Sequence, residues 1–148
     1  MIKNLIMSIQ FFFTETKVIV PERKRLKTFI KNIFKKENKK LTSLLFIFCS
    51  DEYLLNINRR FLQHDYYTDI ITFNLSDTPK IIEGEIYIST DRIKHNALLM
   101  RVSNKHELHR IIFHGILHLC GYKDKPALKK KAMTSLEDAC LAKYFQLN

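Results

Sequence analysis

The 148-residue chain reads as an α+β protein: a small mixed sheet of about four strands packed with about five helices. Three observations predict this. Short runs rich in Ile, Phe and Leu alternate with stretches of helical periodicity, in the order β-α-β-α-β-β-α-α-α. One later stretch, residues 105–119, is apolar almost all round, as expected of a buried central helix. The chain is 46% hydrophobic, with eleven Phe and six Tyr but only three Gly and three Pro. That composition suits one domain over residues 1–148, with a real core and no long linker. No internal repeat is visible.

Residues 6–13 (IMSIQFFF) are short and rich in Ile and Phe, which predicts a first strand. Pro21 opens the next element, since proline is favoured in a first helical turn. Leu26, Phe29, Ile30, Ile33 and Phe34 then follow the spacing of an amphipathic helix. Lys24, Lys27, Lys31 and Lys35 crowd the opposite side, and segment 22–40 holds nine Lys or Arg against two Glu. Residues 42–49 (TSLLFIFC) form a continuous apolar run, read as a strand buried on both faces. Ser50 or Asp51 can cap a helix over about 51–63, with Leu54, Ile57 and Phe61 as its inner stripe and Asn56, Asn58, Arg59 and Gln63 elsewhere.

The polar stretch 64–69 reads as a loop leading into a strand over 70–75, where Ile71, Phe73 and Leu75 alternate with Ile70, Thr72 and Asn74. A turn containing Pro79 precedes an alternating strand over 84–89. Thr90 or Asp91 can cap a helix to about Val102, and Ser103 or Asn104 can cap the central helix. Pro126 starts a last helix of about 126–145.

The net charge is +10 and the sequence pI about 9.6, which points to a polyanionic partner, nucleic acid or an acidic membrane surface. Cys49, Cys120 and Cys140 are odd in number and form no CxxC, so a reducing compartment is expected and the cytoplasm is the default location. The N-terminal residues read as a strand rather than a signal peptide, and no stretch approaches eighteen uninterrupted apolar residues.

The chemistry concentrates in His114-Gly115-Ile116-Leu117-His118-Leu119-Cys120-Gly121-Tyr122-Lys123-Asp124. Residues i and i+4 lie one turn apart on one helix face, so His114 and His118 can hold one metal ion, as in H-E-x-x-H zinc sites. This makes the central helix a zincin-like metal-binding helix. A shared metal also satisfies two imidazoles in a buried helix, where an unpaired polar group costs roughly 1–3 kcal/mol. Gly115 costs roughly 1 kcal/mol against Ala in a helix interior, which close approach of another backbone or a ligand would explain. Gly121 fits a left-handed C-cap, and the turn there can bring Asp124 back as third ligand. Three ligands leave an open position, the mark of a catalytic rather than a structural site. Gly115 stands where the protease motif has its glutamate, which argues against a conventional metalloprotease.

These residues resemble the YbeY family of bacterial endoribonucleases, whose signature is H-G-x-L-H-L-x-G-Y-D-H; residues 114–122 match it position by position. Asn58-Arg59-Arg60-Phe61 is similar to the family's helix with an Arg toward the substrate groove. Thr68-Asp69-Ile70-Ile71-Thr72-Phe73 is similar to its T-D-V-L-S-F strand, and Gly84-Glu85-Ile86 to its G-D-I. The chain departs from the pattern at Lys123 and at Asp124, which stands where the family has its third histidine ligand. A carboxylate is an acceptable zinc ligand, though it makes the site less positive and alters metal preference.

The resemblance implies a metal-dependent, single-strand-specific endoribonuclease acting in small-subunit ribosomal RNA 3′ end maturation and ribosome quality control. It implies one zinc ion, or another divalent metal, held by His114, His118 and Asp124, and Arg59 as a phosphate-binding catalytic residue beside the histidines. Ribosomal RNA, the small subunit, ribosomal proteins and an assembly GTPase are the implied partners. The lysines of the first helix and Lys123, Lys125, Lys129, Lys130 and Lys131 would position the RNA. Asp65, Asp69 and Glu85 are candidates for the carboxylate that orients a ligand histidine or accepts a proton. Five residues, about 140° around the axis, separate His109 from His114, so His106 and His109 read as surface or supporting residues, His64 and His95 as solvated, and Cys120 as core. The competing reading is a non-catalytic RNA-binding assembly factor with a structural metal.

Overall fold

The computed structural model describes residues 8–146. Its elements are β1 (Ser8–Phe13), α1 (Arg23–Lys36), β2 (Lys40–Cys49), α2 (Asp51–Leu62), β3 (Ile70–Asn74), β4 (Ile81–Ser89), α3 (Thr90–Met100), α4 (Asn104–Leu119) and α5 (Ala127–Tyr144). The order is the one the sequence predicts, five helices with a four-stranded mixed sheet; residues 6 and 7 of the expected first strand lie outside the described residues.

The sheet runs β1-β2-β4-β3, with β1, β2 and β4 parallel and β3 antiparallel on β4. One face carries the main core. Leu44, Phe46 and Phe48 of β2 and Ile82, Ile86 and Ile88 of β4 pack with Leu26, Ile30 and Phe34 of α1 and with Ile112 and Ile116 of α4. The other face carries a smaller cluster of Cys49, Leu54 and Ile71, roofed by α2. Leu45 and Ile47, on alternate positions of β2, are only half-buried, so the strand is not enclosed on both faces as expected.

Serines cap three of the helices. Ser50, Ser89 and Ser103 accept from the backbone N–H of Tyr53, Arg92 and His106 at the starts of α2, α3 and α4. At α3 this differs from the expected Thr90 or Asp91, because Thr90 is drawn inward to donate to the carbonyl of Cys49. The inner stripe of α2 also differs. Leu54, Leu55 and Asn58 are buried, whereas Phe61 is 59% exposed and meets the Phe73 ring edge-on at 6.1 Å. Strand β3 stops at Asn74, whose side chain accepts from the N–H of Ser76, and this leaves Leu75 in solvent rather than alternating inward.

Gly115 is explained by packing. A Cβ there would meet the side chains of Ile70 and Ile86 at 3.0 Å, so the glycine lets α4 lie close on β3 and β4. The next helical turn is likewise seated close on β4, where a Cβ at Gly84 would meet the Leu119 side chain at 3.1 Å.

Candidate metal centre

Helix α4 delivers two imidazoles from consecutive turns, and the chain then turns at Gly121, whose φ of +103° is a conformation side chains rarely adopt. This returns Asp124 to the same point. The Nε2 atoms of His114 and His118 stand 2.9 Å apart, and the Oδ2 of Asp124 lies 3.5 Å from each. Donors about 2.0–2.1 Å from a tetrahedral zinc stand about 3.3 Å apart, close to these separations. Among the described residues this is the one group of His, Cys, Asp and Glu that converges in this way.

The neighbours decide the tautomers. His118 Nδ1 lies 3.0 Å from the carbonyl of Tyr122, which can only accept, so that nitrogen carries the proton. His114 Nδ1 lies 2.6 Å from Oε2 of Glu137. Burial raises the Glu137 carboxyl, but the hydrogen bond from His114 and the positive charge of Arg110 outweigh it and hold it below its usual range. As a carboxylate it accepts from His114. With both Nδ1 atoms engaged, the two Nε2 atoms are left facing each other and the Asp124 carboxylate, where a proton or a metal ion must bridge them; two imidazole nitrogens and one carboxylate oxygen at these separations fit a divalent ion. Burial, reinforced by the neighbouring His114, pushes His118 below the ordinary histidine range, which favours the ligand form at neutral pH.

Behind Glu137 stands a buried charge network. Arg110 donates to Glu137 at 3.0 Å and to both oxygens of Glu107 at 2.9 and 3.0 Å, and approaches Asp69 at 3.8 Å. Glu107 is wholly buried. Glu107 and Glu137 raise Arg110 further above its usual range despite the opposing effect of burial, and the network fixes Glu137 against His114. Sequence reasoning missed Glu137 and Arg110. The signal was present: Glu137 interrupts the buried stripe Met133, Leu141, Tyr144 on α5, where a carboxylate has no place without a partner.

A cleft of about 440 Å³ opens over the three donors and is bounded by His114, His118, Asp124, Asn58, His64 and Tyr66, with residues 68–72 along one wall. Arg59 is not among its lining residues; it is exposed on α2 and paired with Asp65. The neighbouring Asn58, 1% exposed, reaches the cleft instead. Of the candidate orienting carboxylates, Asp69 lines the cleft, Asp65 holds Arg59, and Glu85 accepts from the Tyr87 hydroxyl at 3.1 Å. The groups bonded to the two histidines are Glu137 and the Tyr122 carbonyl.

Of the surface or supporting place expected for His109, the surface one does not hold. His109 is 0% exposed, stacked on Tyr144 with ring centroids 5.1 Å apart, because α5 crosses this turn of α4. Cys120 is core, its thiol pushed up to about 12 by burial. His64 lines the cleft, and His95 is exposed. Lys123 and Lys125, which flank Asp124 in the chain, and Lys129, Lys130 and Lys131 at the start of α5 are all exposed. Among the described residues no helix is long and apolar enough to cross a membrane.

Residues 11–145 match the sequence model of a family described as Endoribonuclease YbeY. A Cytophaga hutchinsonii protein named Endoribonuclease YbeY is 50% identical over 91% of this chain and 94% of its own length. A protein of the same name from Parabacteroides distasonis is 40% identical, over 92% and 95%. The solution structure of a Thermotoga maritima protein superposes with a TM-score of 0.64 at 27% identity, covering 94% of this chain and 90% of that one.

Proposed function

The chain belongs to the YbeY family of endoribonucleases, and from that premise we propose that it acts as one domain cutting single-stranded RNA at the cleft over His114, His118 and Asp124. The observation that carries this is the convergence of two imidazole nitrogens and one carboxylate oxygen in an open cleft. Two imidazoles and one carboxylate suit zinc, and three protein donors leave a coordination position free, as catalytic sites do. A structural site closes with four, which tells against the reading as a non-catalytic assembly factor.

The chemistry such an ion supplies is Lewis-acid polarisation of the phosphodiester and activation of a water molecule. The protein's own residues do the rest. Glu137 and the Tyr122 carbonyl hold the imidazoles in the tautomer that presents Nε2. The exposed lysines that flank Asp124 in the chain and start α5 attract the phosphate backbone, an attraction that weakens steeply with salt. Arg59, at the outer rim on α2, keeps its Nε bond to Asp65 and turns its remaining N–H groups to a phosphate, and so acts as a positioning cation. Ribosomal RNA, near the 3′ end of the small-subunit species, is the proposed natural substrate, met in the cytoplasm with ribosomal proteins and an assembly GTPase as partners.

The test is cleavage of a single-stranded ribosomal RNA fragment by zinc-loaded protein and by His114→Ala, with elemental analysis of both. The unaltered protein is expected to carry one zinc and cut, and the variant to lose the metal and more than about a hundredfold of the activity. Protein that binds RNA but cuts none in either form overturns the enzyme reading.

A further inference from the structure

The loop between α2 and β3 presents two aromatic rings that the metal centre does not use. The rings of His64 and Tyr66 stack with centroids 5.1 Å apart and planes 20° apart, and the tyrosine hydroxyl lies 2.9 Å from His64 Nδ1. Both line the cleft that holds His114, His118 and Asp124, yet Tyr66 is 54% exposed.

The rings are held there. Gln63 takes a left-handed conformation, with φ 55°, that ends α2. The N–H of His64 donates to the carbonyl of Asn58 at 3.2 Å, and the buried side chain of Asn58 donates to the carbonyl of Tyr66 at 2.9 Å. Arg59 grips Asp65 between them. A loop strapped to its preceding helix at three successive residues keeps two rings at a cleft mouth at little further entropic cost on binding.

We propose that His64 and Tyr66 form a binding site for one unpaired nucleobase of the RNA, next to the phosphodiester to be cut; this rests on the reading of the cleft as a ribonuclease site. Two features favour a base over a phosphate. The cation held by this loop, Arg59, is paired with Asp65 and stands outside the cleft that the two rings line. The opposite wall is the open edge of β3, which pairs only with β4 among the described residues. Residues 68–72 all line the cleft, so both faces of the strand border it and its edge points in. Stacking on an aromatic face, with main-chain N–H and C=O groups for the base edge, is how single strands are held. A base paired in a duplex offers neither its face nor that edge, so the site selects single strands.

The experiment measures binding of the zinc-loaded full chain to a short fluorescein-labelled single-stranded RNA, to its blunt duplex, and to single strands each lacking one base at a successive position. Tyr66→Ala, His64→Ala and Tyr66→Phe are compared with the unaltered protein. Tyr66→Ala is expected to weaken single-strand binding about five- to a hundredfold. Removing one particular base weakens binding to the unaltered protein similarly, and the two losses do not add. Duplex binding stays as it was, Tyr66→Phe keeps most of the single-strand affinity, and in cleavage the loss falls on KM more than on kcat. Unchanged single-strand affinity in both alanine variants, or an equal loss on single strand and duplex, overturns the proposal while leaving the ribonuclease reading intact. An unaltered protein that neither binds nor cuts RNA overturns both.

Discussion

Helix α4 carries histidines in both halves, and the two halves treat them in opposite ways. His109 is enclosed by Tyr144, Phe113 and Phe145, donates from Nδ1 to the carbonyl of Lys105 one turn back at 2.6 Å, and leaves Nε2 without a partner. His114 and His118 lie five and nine residues further on, where α5 offers a carboxylate instead of an aromatic ring and the other side opens to the cleft. The same side chain is a core ring in one half and a candidate metal ligand in the other. Spacing along the helix does not separate the two roles; what packs against Nδ1, and whether Nε2 meets another donor atom, does.

The comparison is broken most sharply at Glu137. Glu137→Gln keeps the shape but removes the charge that holds the His114 tautomer, and a loss of about 10–100-fold in zinc affinity is expected, read by competition titration. A variant whose apo melting temperature falls while its zinc affinity is unchanged shows Glu137 to be structural only.

At His109 the expected effect is on stability and not on metal. His109→Ala opens a cavity among three aromatic rings and costs about 2–4 kcal/mol by denaturant unfolding, with zinc affinity unaltered. His109→Phe keeps the ring and removes the unpartnered nitrogen, so its stability is expected to equal or exceed that of the unaltered chain. Loss of zinc on His109→Phe would join the two halves into one functional unit.

The smallest effect is in pH. Burial is the first cause of the lowered pKa of both His109 and His118, so between their folded values and the usual 6.5 the unfolded chain binds more protons than the folded one. Stability of the metal-free protein therefore falls as pH drops below about 6.5, and His109→Phe makes that fall shallower without abolishing it. An identical slope in the variant refutes the burial of His109 as a neutral ring.

Much of the site is legible in local pattern. Four-residue spacing puts His114 and His118 on one face whatever surrounds them, and Gly121 marks where the helix must turn. Cys120 reads correctly as core from its apolar run. Local pattern misleads where one helix ends or another crosses it. Phe61 has the right period for the inner stripe of α2, but the last turn of that helix overhangs the sheet. Asn58, polar and so assigned outward, is buried because its amide pins the following loop. Leu75 alternates correctly but lies past the Asn74 turn.

The sequence by itself determined the element order, the single helix that carries both imidazoles, and Asp124 as the nearest carboxylate beyond the turn. These follow from periodicity and from the backbone demands of glycine, which act within a few residues. Tertiary structure decided which imidazole nitrogens face Asp124, which carboxylate steadies His114, and which neighbouring residues wall the cleft. Glu137 meets His114 across 23 residues because α5 packs antiparallel beside α4 with that turn in register, and no local rule contains that register. Gly115 joins the two levels. Its cost is visible along the chain, while its reason, the close seating of α4 on Ile70 and Ile86, exists only once the sheet is assembled.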